Sequence, residues 1–223
     1  MGQLLTVTAH VQAEGSKRRA GQKDRNRVVV WLTPVGTAAQ RAGARGPHGQ
    51  PLRLTQHNKS FDPHLLVVPV GSVVEFPNRD PFFHNVFSLF EGKRFDLGLY
   101  EAGTTREVRF DKPGVSYIFC NIHAEMSAVV IALATPYYGI STQRGEISIP
   151  DVPPGTYRLQ TWYEAALPET LDSSGGREIQ LTADSANLGT IRVPAASTVM
   201  AHKNKYGRDY DPPAPDNPAY PQH

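Results

Sequence analysis

One cysteine, Cys120, occurs in 223 residues. An intramolecular disulfide is excluded, and so is any metal cluster bridged by two thiolates of the same chain. No apolar run reaches the ~18 residues of a helix that crosses a membrane. Neither sign of charge dominates: the net charge is +2, which implies no strongly electrostatic partner, and no nucleic acid is expected. The basic run Lys17-Arg18-Arg19, with Lys23, Arg25 and Arg27, has no interleaved aromatics and reads as a solvated loop. There is no Ser-His-Asp arrangement, Gly-rich phosphate loop or zinc-protease motif. Helical periodicity is missing as well: nothing in Leu52–Ala134 sustains it over ten residues, apart from a possible turn around Gly98–Gly103.

What is present is turn chemistry and short apolar runs. Nineteen Gly and nineteen Pro among 223 residues punctuate the chain. Strands are predicted at Leu4–Val11, Arg27–Thr33, Leu52–His57, Leu65–Val70, Ser72–Phe76, His84–Phe90, Thr105–Phe110, Val115–Cys120 and Ser127–Leu133. A second series covers Tyr138–Ser141, Gly145–Ile149, Gly155–Tyr163, Arg177–Leu181 and Leu188–Val193. Val35–Gln50 reads as a loop, and 194–223 as an extended or disordered Pro-rich tail that is either a flexible linker or a partner-binding segment. Trp162 and Tyr163 read as core or rim residues. The chain is all-β, with a sandwich of about 85 residues at its centre.

The chemistry gathers at Cys120-Asn121-Ile122-His123-Ala124-Glu125-Met126, a loop between two predicted strands. Upstream, Asp80-Pro-Phe-Phe-His-Asn-Val-Phe87 supplies His84. A thiolate, two imidazoles and a thioether are the donor set of a mononuclear blue-copper ion. Thiolate and thioether favour Cu(I), while imidazole suits both oxidation states. Zinc is the rival metal, but a thioether is an unusual zinc ligand. Asn85, directly after the first histidine, is placed to brace the ligand loop. His10, His48, His57, His64, His202 and His223 are scattered, with no His-x-His pair, so no trinuclear oxygen-reducing cluster is legible.

Residues 52–134 resemble a cupredoxin, the blue-copper domain of plastocyanin and amicyanin. The resemblance rests on Val-Pro-Val-Gly-Ser-Val-Val-Glu-Phe-Pro-Asn (68–78), His-Asn-Val (84–86), Pro-Gly-Val-Ser-Tyr-Ile-Phe-Cys (113–120) and the Cys-x-x-His-x-x-Met loop. The two residues between His123 and Met126 make the loop most similar to amicyanin. The resemblance implies a Greek-key sandwich with one Cu(I)/Cu(II) ion held by His84, Cys120 and His123 and more weakly by Met126. It implies electron exit through a partly exposed His123, transient redox protein partners, no catalysis, and a periplasmic or exported location. Phe82 and Phe83 are candidates for the docking patch or for core packing beside the ligand. A copper-delivery protein, or a binding module in which copper is ancillary, is the alternative.

The segment from Tyr138 through Asp151-Val-Pro-Pro-Gly-Thr-Tyr157 is similar to the back half of a carboxypeptidase-regulatory-like, transthyretin-like sandwich. Such a domain would begin with what residues 4–34 offer. The reading favoured is insertion, with 4–34 and 137–193 forming one discontinuous sandwich and the cupredoxin (52–134) set into one of its loops; tandem domains are the alternative. No secretory leader is legible, and Met-Gly-Gln-Leu-Leu-Thr formally fits acylation at Gly2. The simpler expectation is a mature chain with its leader removed and an initiator Met added, or one that never had a leader.

Overall fold

The computed structural model describes residues 3–14, 27–36, 52–89, 92–164, 166, 176–194 and 202–210. The basic run up to Arg25, most of the 35–50 loop with His48, and the end of the tail with His223 lie outside the described residues. The chain divides into two compact units, Met1–Arg45 with Ala134–Met200, and Gly46–Leu133 with Ala201–His223.

In the discontinuous unit the strands are β1 (Leu5–Glu14) and β2 (Val28–Pro34), before the other unit's strands, and β13 (Tyr138–Ile140), β14 (Glu146–Val152), β15 (Gly155–Tyr163), β16 (Arg177–Leu181) and β17 (Asn187–Pro194), after them. One sheet runs β14-β1-β17, the other β13-β2-β15-β16. Val28, Val30 and Leu32 alternate along β2 toward a core shared with Val7, Ile149, Tyr157 and Leu181. Strand β2, the Val-Val-Val-Trp-Leu run, pairs antiparallel with β13 and β15. Trp162 and Tyr163 are both buried.

The other unit carries β3 (Leu52–Arg53), β4 (Thr55–His57), β5 (Ser60–Asp62), β6 (Leu65–Pro69), β7 (Ser72–Pro77), β8 (His84–Ser88), β9 (Phe95–Tyr100), β10 (Thr105–Phe110), β11 (Gly114–Cys120) and β12 (Ser127–Leu133). A three-stranded sheet, β10-β7-β3, and a five-stranded sheet, β6-β12-β11-β8-β9, enclose one core. The period of two in each strand supplies that core: Val74 and Phe76, Val108 and Phe110, Ile118 and Cys120, Val130 and Ala132. The sulfur of Cys120 is thereby assigned to the interior by its own strand.

Two expectations need correction here. Residues 95–100 form strand β9, where the sequence suggested at most a turn near Gly98. Asp-Leu-Gly-Leu lacks the β-branched density of the other strands, and pairing with β8 overrides that weak propensity. The tail is not extended or disordered over 202–210; those residues fold onto the ligand loop, as described below.

Candidate metal centre

Strands β11 and β12 form an antiparallel pair whose register ends at Phe119 opposite Ser127. The loop beyond closes on itself. Cys120 N–H donates to Met126 O (3.3 Å), and Met126 N–H donates to His123 O (3.2 Å). These bonds turn the loop back so that His123 and Met126 lie within the strand ends that carry Cys120. His84 arrives from β8, which pairs with β11 through Cys120 opposite Val86. Asn121 N–H donates to Asn85 O (2.9 Å), extending that ladder one step into the loop.

The result is a triangle of donors. His84 Nδ1 and His123 Nδ1 each lie 3.6 Å from Cys120 Sγ. Among the described residues this is the one group of three His, Cys, Asp or Glu side chains whose ligand atoms all fall within 4.8 Å. An ion about 2.0–2.1 Å from imidazole nitrogen and about 2.3 Å from thiolate sulfur, as for tetrahedral zinc, separates the two donors by ~3.6 Å. The triangle therefore has the size of a first-row metal site. Cys120 and His84 are fully buried and His123 is 9 % exposed. Met126 is fully buried on the same loop.

The orientation of His84 is fixed from behind. Its Nε2 lies 2.8 Å from the Asp80 carboxylate. A carboxylate only accepts, so the proton sits on Nε2 and Nδ1 is left with its lone pair toward the sulfur. Asp80 is itself held by the backbone N–H groups of Asn58 (2.6 Å) and Lys59 (3.0 Å). Its own N–H donates to Asn78 Oδ1 (3.0 Å), and Asn78 Nδ2 donates to Phe82 O (2.8 Å). The segment 78–84 is thus a braced bridge between β7 and β8. Asp80 stands in the motif that supplies His84, yet nothing in spacing alone marks it as the partner of that ring.

Electrostatics follow from burial. Burial pushes the Cys120 thiol up, opposed by backbone N–H groups of Asn85, Ile122 and His123 that favour the thiolate. Burial, with His84 beside it, lowers His123 to about 4. Burial also lowers His84, against the pull of Asp80. Burial would raise Asp80, but hydrogen bonds from Lys59, His84 and Asn58 hold it below the usual carboxylate range. At neutral pH both imidazoles are therefore neutral, and burial keeps the proton on the thiol unless a cation takes its place.

Asn85 meets the loop through its backbone carbonyl; its side chain donates instead to Asp96 Oδ1 (2.6 Å). Phe82 sets its ring against both imidazoles, with centroids 5.3 Å from His84 and 5.6 Å from His123. Phe83 is 46 % exposed and Ile122, next to His123, is 38 % exposed. Among the described histidines outside the triangle, His202 lies on the ligand loop: its Nε2 is 2.7 Å from Ala124 O. Sequence scatter concealed that placement, because 78 residues separate the two.

An all-β chain with a buried His–Cys–His donor set defines the class of protein to which this chain is similar. No family model and no curated protein matches the sequence. Among solved structures, a purple cupredoxin from Nitrosopumilus maritimus aligns over 37 % of this chain and 99 % of its own, with 23 % identity and a TM-score of 0.34. A copper-containing nitrite reductase from Thermus scotoductus aligns over 45 % of this chain and 27 % of its own, with 25 % identity and a TM-score of 0.36. A reduced variant of amicyanin aligns over 46 % and 91 %, with 19 % identity and a TM-score of 0.35. His84, Cys120 and His123 form a group whose ligand atoms could hold a metal ion.

Proposed function

We propose that the chain is a type 1 mononuclear copper protein that passes single electrons between redox partners. The observation that carries this reading is the buried triangle of two imidazole Nδ1 atoms and one sulfur, with the lone pair of His84 set by Asp80. His84, Cys120 and His123 would be the strong ligands and Met126 a weaker fourth. Copper held there supplies a one-electron couple. The residues do the rest. Burial excludes water from the donors, Asp80 holds His84 in one tautomer, and the hydrogen-bonded loop keeps Cys120 and His123 in a single arrangement in either oxidation state. The near-surface edge of His123, with Phe82, Phe83 and Ile122 around it, would be the contact through which a transient protein partner exchanges the electron. No bond is made or broken in either partner. A periplasmic or exported location belongs to this reading; a copper-delivery protein, or a binding module in which copper is ancillary, is the alternative to it.

The pairing of β2 with β13 and β15 supports the insertion arrangement, with 4–34 and 137–193 as a discontinuous transthyretin-like sandwich and 52–134 as the copper domain. That sandwich would be a scaffold for the electron carrier or its link to a larger assembly.

The test is addition of one equivalent of Cu(II) to the metal-free protein. An intense visible thiolate-to-copper band that bleaches on one-electron reduction supports the carrier. A colourless complex, or copper retained in only one oxidation state, favours delivery or another metal.

A further inference from the structure

The segment His202–Tyr210 makes a set of contacts that the donor triangle does not require. His202 Nε2 donates to Ala124 O (2.7 Å), and its ring stacks on Phe119 with centroids 4.0 Å apart and 24° between the planes. Tyr210 Oη donates to the backbone carbonyl of Cys120 (2.8 Å) and lies 3.2 Å from His202 Nδ1. Lys205 N–H donates to Asn121 Oδ1 (3.0 Å). Lys205 Nζ donates to Asp96 Oδ2 (2.7 Å), whose other oxygen accepts from Asn85. The segment is tied within itself as well: the side chain of Asn204 accepts from the N–H groups of Tyr206 and Arg208, and Gly207 N–H donates to Asn204 O.

The external contacts of this turn land on residues 119–124, apart from the Lys205–Asp96 bond to β9, which pairs with the strand that carries His84. Phe119, Cys120, Asn121 and Ala124 are four of the six residues from 119 to 124. A segment 78 to 90 residues away in sequence thus supplies bonds to two loop carbonyls, those of Ala124 and Cys120. Side chains of this kind fix a ligand without touching it.

We infer that His202, Lys205 and Tyr210 are positioning residues: residues 202–210 form a clasp that sets the conformation of the ligand loop, so the chain beyond the second sandwich is part of the metal centre. The clasp and the metal then reinforce each other, since an ordered loop binds the ion more tightly and a bound ion orders the loop the clasp grips. The inference rests on the metal-site reading for its purpose, but not for its test.

The experiment uses the full-length chain carrying Tyr210→Phe, and the double variant His202→Ala with Tyr210→Phe, each compared with the unsubstituted protein. In the metal-free state, amide exchange is read at Lys205, which reports docking, at Asn121 and Met126, which report the loop, and at Val129 and Ile131 in β12, which report the sheet. In the double variant the Lys205, Asn121 and Met126 amides exchange faster by about 10-fold or more, while β12 is unchanged; Tyr210→Phe gives the same pattern more weakly. With Cu(II) bound, copper loss to a chelator quickens by about 10- to 100-fold and the visible band shifts, the size expected for outer contacts of a metal site. Loss of Lys205 protection with unchanged Asn121 and Met126 exchange overturns the clasp. So does retained Lys205 protection in the double variant, since the named contacts then do not hold the segment. Failure of the unsubstituted protein to colour with copper would sink the copper reading alone, because the metal-free arm still decides the clasp.

Discussion

His84 and Asp80 form a buried pair, Nε2 to Oδ2 at 2.8 Å, with side chains 0 % and 4 % exposed. The carboxylate accepts the one ring proton and turns the opposite nitrogen toward Cys120. Replacing Asp80 by Asn keeps the shape but leaves an amide that can present either a donor or an acceptor, so the tautomer is no longer set. Copper affinity, measured by competition with a chelator, is expected to fall about 10- to 100-fold. Unchanged affinity would show that His84 is oriented by its packing alone.

The neutral imidazoles give the metal-free protein a defined pH dependence. His123 has its native value lowered to about 4, from 6.5 when unfolded. Between those values the unfolded chain binds a proton that the native state refuses, so stability falls as pH drops from about 6.5 to about 4, by on the order of 3 kcal/mol. His84 acts in the same direction. Denaturant titrations of metal-free protein at pH 7.5, 6 and 4.5 measure the slope. A flat profile would mean that His123 is hydrated and free to protonate.

Cys120→Ser is expected to abolish the intense visible band while leaving both imidazoles in place; persistent colour would refute thiolate ligation. Met126→Gln should retain copper but lower its reduction potential, because a harder axial oxygen favours the oxidised ion. Cyclic voltammetry measures it, and an unchanged or raised potential would remove Met126 from the ligand set.

In the other unit the sharpest test is at Gly145. Its φ is +84°, and a Cβ there would meet the backbone oxygen of Val11 in β1. Its own carbonyl accepts from Val11 N–H (2.7 Å), so the turn cannot move away without losing that bond. Gly145→Ala should cost at least about 1–3 kcal/mol in chemical denaturation. A loss within the scatter of surface substitutions would mean that the β14 turn relaxes freely.

The cluster of His84, Cys120 and His123 and most of the strands were legible in the sequence alone, for local reasons. Cys120, His123 and Met126 sit within one loop at fixed spacing, and β-branched alternation bounded by Gly and Pro marks strands such as β2, β7, β10 and β11. Strand β9 was not legible, because its formation depends on pairing with β8. Asp80 stood in plain view four residues before His84, but only the fold of the 78–84 bridge turns its carboxylate onto that ring. Least legible was the role of residues 202–210. Charge, Pro-rich surroundings and a lack of period mark them as tail, and their hold on the ligand loop consists of hydrogen bonds and one ring stack across 78 to 90 residues of chain. Spacing and periodicity register only neighbours along the chain. Which distant groups share the loop's remaining hydrogen bonds is decided by tertiary structure, where the need to satisfy polar backbone atoms is met by whatever the fold brings within reach.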